Sequence, residues 1–258
     1  MMQDLAGRVV WITGAGTGIG RAIAVAFAAA GCRVAITGRR PEMLAETAAL
    51  IAAAGHASVT VPADVADAAG VVAAHRAVVA ALGEVDILVN NAGTNTRRRH
   101  WRDLAPEDMA HVVDVNLKGP FLCSIAVLPA MRRAGAGTLI HIVSNAATGI
   151  YPVSGPTYTA SKHGARAMSA TINAEEGIHG IRSVCINPGE VETPILDTRP
   201  NPPGAADRAL MIQPEDIAAS ALFAAQLPPR TCMAEMLITP TDNNFNRASA
   251  KALARGPA

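Results

Sequence analysis

RVVWITGAGTGIGRAIAVAFAAAG, residues 8–31, decides how this chain is read. A nearly continuous apolar run at 8–13 leads into a turn carrying Gly14, Gly16, Gly18 and Gly20. Beyond it, apolar residues are spaced for a helix over 18–30. Unbroken Val and Ile over strand length is the pattern of a strand covered on both faces. Gly14 allows the sharp bend, Gly18 lets the backbone approach a phosphate, and Gly20 lets the helix pack on the strand. The first helical N–H groups then face the phosphates of a nucleotide. Ile19 stands where the commoner dinucleotide spacing has its last glycine. The turn alone is therefore a weak signal, and its place at the first strand-to-helix junction carries the argument.

The same alternation continues to the end of the chain. Strands are expected at 8–13, 33–37, 57–62, 86–90, 138–143, 182–187 and 235–239. Helices are expected at 18–30, 41–54, 67–82, 106–133, 157–176 and 214–226. Strand and helix in strict succession predict an α/β fold with a parallel sheet and right-handed crossovers. No fixed-period repeat interrupts residues 1–258, which read as one domain. Within 190–212, Pro194, Pro200, Pro202, Pro203 and Gly204 are expected to prevent regular structure, as in a loop over a bound substrate.

Composition narrows the function. The net charge of +1 gives no electrostatic reason to expect nucleic acid or an anionic membrane as partner. Cys32, Cys123, Cys185 and Cys232 form no Cys-x-x-Cys pair, and the histidines show no ligand spacing, so no metal is expected. The N-terminal residues show no signal-peptide pattern and run directly into the first strand, and the apolar stretch around residues 22–30 is too short to span a membrane. A cytoplasmic protein is expected, with thiols kept reduced.

Tyr158 and Lys162 open the helix after the fifth strand, one turn apart on one face. With two tyrosines and three lysines in 258 residues, chance would place such a pair in about 0.02 of chains. A free phenol titrates near ~10 and is a poor base at neutral pH. A lysine charge about 4 Å away is worth up to ~4 kcal/mol at an effective dielectric of 20, enough to bring the phenol towards neutrality. Ser144, at the end of the fifth strand, is placed to steady a substrate oxygen. Asn116 lies inside an expected helix, where asparagine is mildly unfavourable, which suggests a role such as holding a proton-relay water for Lys162. NNAG, residues 90–93, ends the fourth strand at the sheet edge where ligands collect.

With these residues in view, the chain resembles the short-chain dehydrogenase/reductase family over essentially its whole length. That resemblance implies a Rossmann-like, doubly wound, seven-stranded sheet with helices on both faces, and an NAD(P)-dependent oxidoreductase. Asn116, Ser144, Tyr158 and Lys162 match the family's catalytic tetrad. Gly14, Thr17, Gly18, Ile19 and Gly20 match its cofactor turn, while Asp64 and Val65 match the pair beside the adenine. Asn90, Ala92 and Gly93 match its fourth-strand motif. Pro188, Gly189, Val191 and Thr193 match the loop beside the nicotinamide. Tyr158 and Lys162 would also hold the cofactor. The implied partners are a small alcohol or carbonyl substrate and further copies of the chain, as a tetramer or dimer. EMLITPTDNN, residues 235–244, resembles the branch acting on small hydroxy acids and related alcohols.

Three readings stay open at this level. Gly38 occupies the place of the acidic residue that holds a ribose hydroxyl, and Arg39 and Arg40 follow it, which favours NADP over NAD. Thr17, where many NADP-preferring relatives are basic, speaks for the reverse. The run Arg97, Arg98 and Arg99 reads as a solvated loop or subunit contact, or as a clamp for an acidic substrate. A complete tetrad favours catalysis over a non-catalytic NADP-binding regulator on the same fold.

Overall fold

The computed structural model describes residues 2–242, so Asn243 and Asn244 at the end of EMLITPTDNN lie outside the described residues. Seven strands form one parallel sheet: β1 (Val9–Thr13), β2 (Arg33–Gly38), β3 (Ser58–Pro62), β4 (Ile87–Asn90), β5 (Gly137–Ile142), β6 (Ile181–Pro188) and β7 (Glu235–Ile238). Alternating with them are α1 (Gly18–Ala29), α2 (Pro41–Ala53), α3 (Ala68–Leu82), α4 (Pro106–Val113), α5 (Gly119–Ala134), α6 (Pro156–Glu176), α7 (Ala205–Arg208) and α8 (Pro214–Gln226). The sheet order is β3-β2-β1-β4-β5-β6-β7. Every expected strand forms within one residue of its predicted limits.

Strand alternation builds a core on each face of the sheet. Val10 and Ile12 of β1 join Ile23, Phe27, Leu44 and Ile217 on the side of α1, α2 and α8. Val9 and Trp11 join Val78, Val127, Met131 and Met168 on the side of α3, α5 and α6. Trp11 is fully buried, and its indole N–H donates to Thr37 Oγ1 at 2.8 Å, so the ring leaves no polar atom unpaired. Between β1 and β4 the order of the sheet reverses, and the connections leave to opposite faces. A crevice opens there at the carboxyl ends of the strands.

Two expectations need correction. The helix expected over 106–133 is continuous in space but widens into a π turn at Asp114–Lys118. A π turn admits an extra residue, and this one surrounds Asn116, whose amide bonds inward to Thr94. The whole run Pro106–Ala134 is long and apolar enough to cross a membrane by length and composition, yet half of its apolar window is buried. Val115, Cys123, Val127 and Met131 account for that apolarity by packing on the sheet.

The second correction concerns 190–212, which is not irregular throughout. It holds a 3-10 turn at Pro194–Thr198, the short helix α7 and a parallel bridge between Val191 and Ile212. Proline restricts a helix interior but suits its first turn, where no N–H is required. Pro194 sits at that position. Arg208 ties the segment together by pairing with Glu192 at 3.1 Å and with Asp197.

The approach from α6 to β6 offers a paired stability test. Gly180 has φ +69, and a Cβ there would lie 2.3 Å from the Gly135 carbonyl oxygen. Gly177 has φ −57 and open space around it. Gly180→Ala should cost about 1–3 kcal/mol. Gly177→Ala should be neutral or stabilise by up to ~1 kcal/mol. Urea denaturation of both variants reads the two midpoints in opposite directions.

Candidate active site

The crevice is held in shape by a clasp between the ends of β1 and β4. Thr13 Oγ1 accepts from the backbone N–H groups of Asn91 and Ala92, both at 3.1 Å. Asn91 Nδ2 donates back to the carbonyls of Thr13 at 2.9 Å and Gly14 at 3.1 Å. Side chains at the turn would break this closeness. A Cβ on Gly14 would lie 2.7 Å from Ala92 Cα, and one on Gly20 would lie 2.4 Å from the Gly14 carbonyl oxygen. α1 starts directly at the cleft. Thr17, its N-cap residue, makes no side-chain capping bond, and the first turn contains no acidic residue. Its N–H groups and the positive end of the helix dipole therefore suit a phosphate.

A cleft of about 330 Å³ runs from this turn across the carboxyl ends of the strands. It gathers most of the expected cofactor residues: Gly14, Thr17, Gly18 and Ile19 from the turn, and Arg39 and Arg40 from the end of β2. Asp64 and Val65 follow β3, Ala92 and Gly93 follow β4, and Pro188, Gly189, Val191 and Thr193 come from the end of β6 and beyond. Ser144, Tyr158 and Lys162 meet at its other end. Tyr151, Asn145, Glu190 and Ile195 also line it.

Three expected residues stand behind the lining. Gly20 packs against the turn itself. Asn90 is buried beneath the cleft, its amide within 3.3 Å of Ser124 Oγ and 3.2 Å of His141 Nδ1. Asn116 is buried too. Its Oδ1 accepts from Thr94 N at 2.8 Å, and its Nδ2 donates to Thr94 O at 2.9 Å and Ser161 Oγ at 3.4 Å. This amide clamps the segment after β4 against α6 from behind.

At the other end of the cleft, the Ser144 side chain stands near enough to the Tyr158 phenol to favour its ionised form, and the Ser144 hydroxyl donates to Asn145 Oδ1 at 3.2 Å. Lys162 is buried; its Nζ donates to the Ile142 carbonyl at 3.1 Å and lies 5.4 Å from the Tyr158 ring centre. Burial pushes the lysine down to about 8 and pushes the phenol above its ordinary value. The groups that pull the phenol back are Ser144, then Arg99 and Arg199. Burial outweighs their pull. The Ile142 carbonyl holds the ammonium over the face of the ring.

Asn91 and Arg199 are cleft residues that the sequence did not single out, and Arg99 lines the cleft as the clamp reading of its arginine run allowed. The second asparagine of NNAG was the available signal for Asn91. Arg99 looked like one member of a solvated arginine run. Its neighbour Arg98 does face outward, bonded to Asp108 at 2.8 Å and Glu107 at 3.1 Å. Arg99 turns inward and is 4% exposed. No cluster of three or more potential metal ligands occurs among the described residues.

The arrangement has known counterparts. Residues 8–203 match the family described as short chain dehydrogenase. The sepiapterin reductase of Chlorobaculum tepidum is 34% identical over 92% of this chain and 98% of its own length. The glycine betaine reductase ATRR of Emericella nidulans is 33% identical over 92% of this chain, which spans only 19% of that protein. Among solved structures, a metagenomic short-chain oxidoreductase in complex with NADP superposes with a TM-score of 0.80 at 31% identity, covering 93% of this chain and 99% of that one. This chain belongs to the short-chain dehydrogenase family and is an oxidoreductase that uses a nicotinamide cofactor.

Proposed function

We propose that the protein, as a single domain, moves a hydride between NADP(H) and a small alcohol or carbonyl compound, with Tyr158 exchanging the proton. The observation that carries this reading is the convergence of Tyr158, Ser144 and Lys162 at the end of the nucleotide cleft. The cleft residues fit a dinucleotide: glycines without room for a Cβ stand beside an uncapped helix start. The bound cofactor supplies the hydride in reduction and accepts it in oxidation. The chain's own residues do the rest. Ser144 orients the substrate oxygen, and Tyr158 donates a proton to that oxygen during reduction and removes it during oxidation. Lys162 holds the cofactor ribose and brings positive charge to the site. Asn116 fixes the wall formed after β4. The free thiols of Cys32, Cys123, Cys185 and Cys232 suit the reducing environment of the cytoplasm.

Tyr158→Phe should lower turnover by at least ~100-fold, in the range of lost general acid–base catalysis, while cofactor affinity is retained. Lys162→Ala should impair both. Steady-state kinetics with fluorescence titration of the cofactor separates them. Burial holds the phenol protonated at neutral pH. Reduction, which needs the phenol, should therefore be flat through neutrality, whereas oxidation, which needs the phenolate, should rise with pH. Ser144→Ala removes a bond that favours the phenolate and should move the oxidative rise to higher pH.

Arg39 and Arg40 are exposed at the adenosine end of the cleft and join no ion pair among the described residues. They are therefore available to a ribose phosphate, and this favours NADP. A Cβ on Gly38 would meet Leu44 only at ordinary contact, 3.4 Å. Gly38→Asp combined with Arg39→Ser should move the preference towards NAD. Wild-type kcat/KM tenfold higher with NAD, a difference of ~1.4 kcal/mol, would overturn the assignment.

The reading also includes a homo-oligomer, a tetramer or dimer, through the helices that begin near Pro106 and Thr157. Met109, Phe121 and Ile125 are exposed on α4 and α5 and would be covered there. Light scattering should give a multiple of the chain mass at micromolar concentration; a monomer mass refutes it.

A further inference from the structure

The substrate end of the cleft carries more positive charge than proton exchange requires. Arg99 is buried, yet every one of its hydrogen bonds goes to a neutral oxygen. Nε donates to Thr96 O at 2.6 Å, and Nη1 reaches Val153 O at 3.4 Å. Nη2 donates to Thr198 O at 2.6 Å and Thr198 Oγ1 at 2.9 Å. No carboxylate pairs with it among the described residues. Arg199 stands close enough to lower the Arg99 pKa, and both line the cleft together with Tyr158. Arg199 is itself paired with Glu190 at 2.9 Å.

Three cations, Arg99, Lys162 and Arg199, therefore face the single carboxylate of Glu190 at this end. A buried cation held only by carbonyls is costly unless an opposite charge completes it. The dinucleotide does not meet this need in the present assignment. Its phosphates belong at the glycine turn and beside Arg39, at the other end of the cleft. A guanidinium matches a carboxylate in shape as well as charge, through paired N–H donors; Arg199 can offer such a pair, while Arg99, with most of its donors committed, adds charge and one Nη1 N–H.

We propose that the substrate carries a carboxylate, received by Arg99 and Arg199 beside the carbon that exchanges hydride. This inference rests on the hydride-transfer reading of the same site. Glu190 tempers the pocket by holding Arg199 when no substrate is present.

The test uses the NADPH-loaded protein with two matched pairs: acetoacetate against its methyl ester, and levulinate against its methyl ester. Turnover and calorimetric binding are both read. The acid should exceed its ester in kcat/KM by at least about tenfold, which corresponds to ~1.4 kcal/mol. Arg199→Gln should collapse that ratio, and Glu190→Gln, which frees Arg199, should raise it. Arg99→Gln should act as Arg199→Gln does, and Arg199→Gln decides the matter if the former does not fold. Arg98→Gln, on the exposed face, should leave the ratio unchanged.

Esters turned over as well as acids would overturn the carboxylate site while leaving hydride transfer intact. Equal losses on acid and ester in Arg199→Gln would also overturn it, by showing that the arginine only positions its loop. Acids that bind in an Arg199-dependent way without being reduced would support the carboxylate site and refute the hydride reading. If the acids neither bind nor react, the carboxylate site is refuted.

Discussion

Two parallel strands that part at their carboxyl ends leave backbone groups facing a gap, and those groups must find partners. Here the partners are Thr13 and Asn91, whose side chains bond across the gap to each other's backbone. The clasp does more than satisfy polar groups. It brings the turn after β1 so near the segment after β4 that Gly14 and Gly20 have no space for a side chain. That closeness leaves the first turn of α1 open to the cleft, with its N–H groups uncapped. The open helix start at this end of the site is thus a consequence of how the sheet reverses order.

The other end is governed by charge in a poorly solvated place. Lys162 and Arg99 are both buried and both bonded to carbonyl oxygens rather than carboxylates. Burial lowers the lysine to about 8 and the arginine to about 10, and neither departure removes the arginine's charge at neutral pH. The site without ligand therefore holds positive charge that it solvates incompletely. Such a site favours negative charge that arrives from outside, whether as a phenolate, a nucleotide or a substrate anion.

Most of the fold was legible because its signals are local. Continuous apolar strands and glycine-bounded helices state their own limits, and all seven strands follow them. The Tyr158–Lys162 pair was legible for the same reason, since four residues on a helix fix a shared face. Asn116 was noticed as an unfavourable residue in a helix, but its sequence gave no sign of the π turn that aims it at Thr94. That turn packs against α6 and the segment after β4, both distant in sequence. Arg99 was harder still. Three successive arginines look alike in sequence, and only the oxygens of Val153 and Thr198, contributed by distant loops, distinguish the buried one.

Those distant contacts show that the two ends of the site are not independent. Residues 91–99 form one continuous segment. Asn91 clasps the nucleotide turn, Thr94 is clamped by Asn116, and Arg99 reaches the loops before α6 and after β6. Asn116 also contacts Ser161, which neighbours Lys162 on α6. A shift in this segment would move the glycine turn's wall, the lysine's surroundings and the arginine together. The structural burden of Asn116 therefore lies less in touching reactants than in holding one strip of backbone that serves both of them. Its buried amide, with donor and acceptor satisfied by the same residue, Thr94, is well suited to fix that strip in a single position.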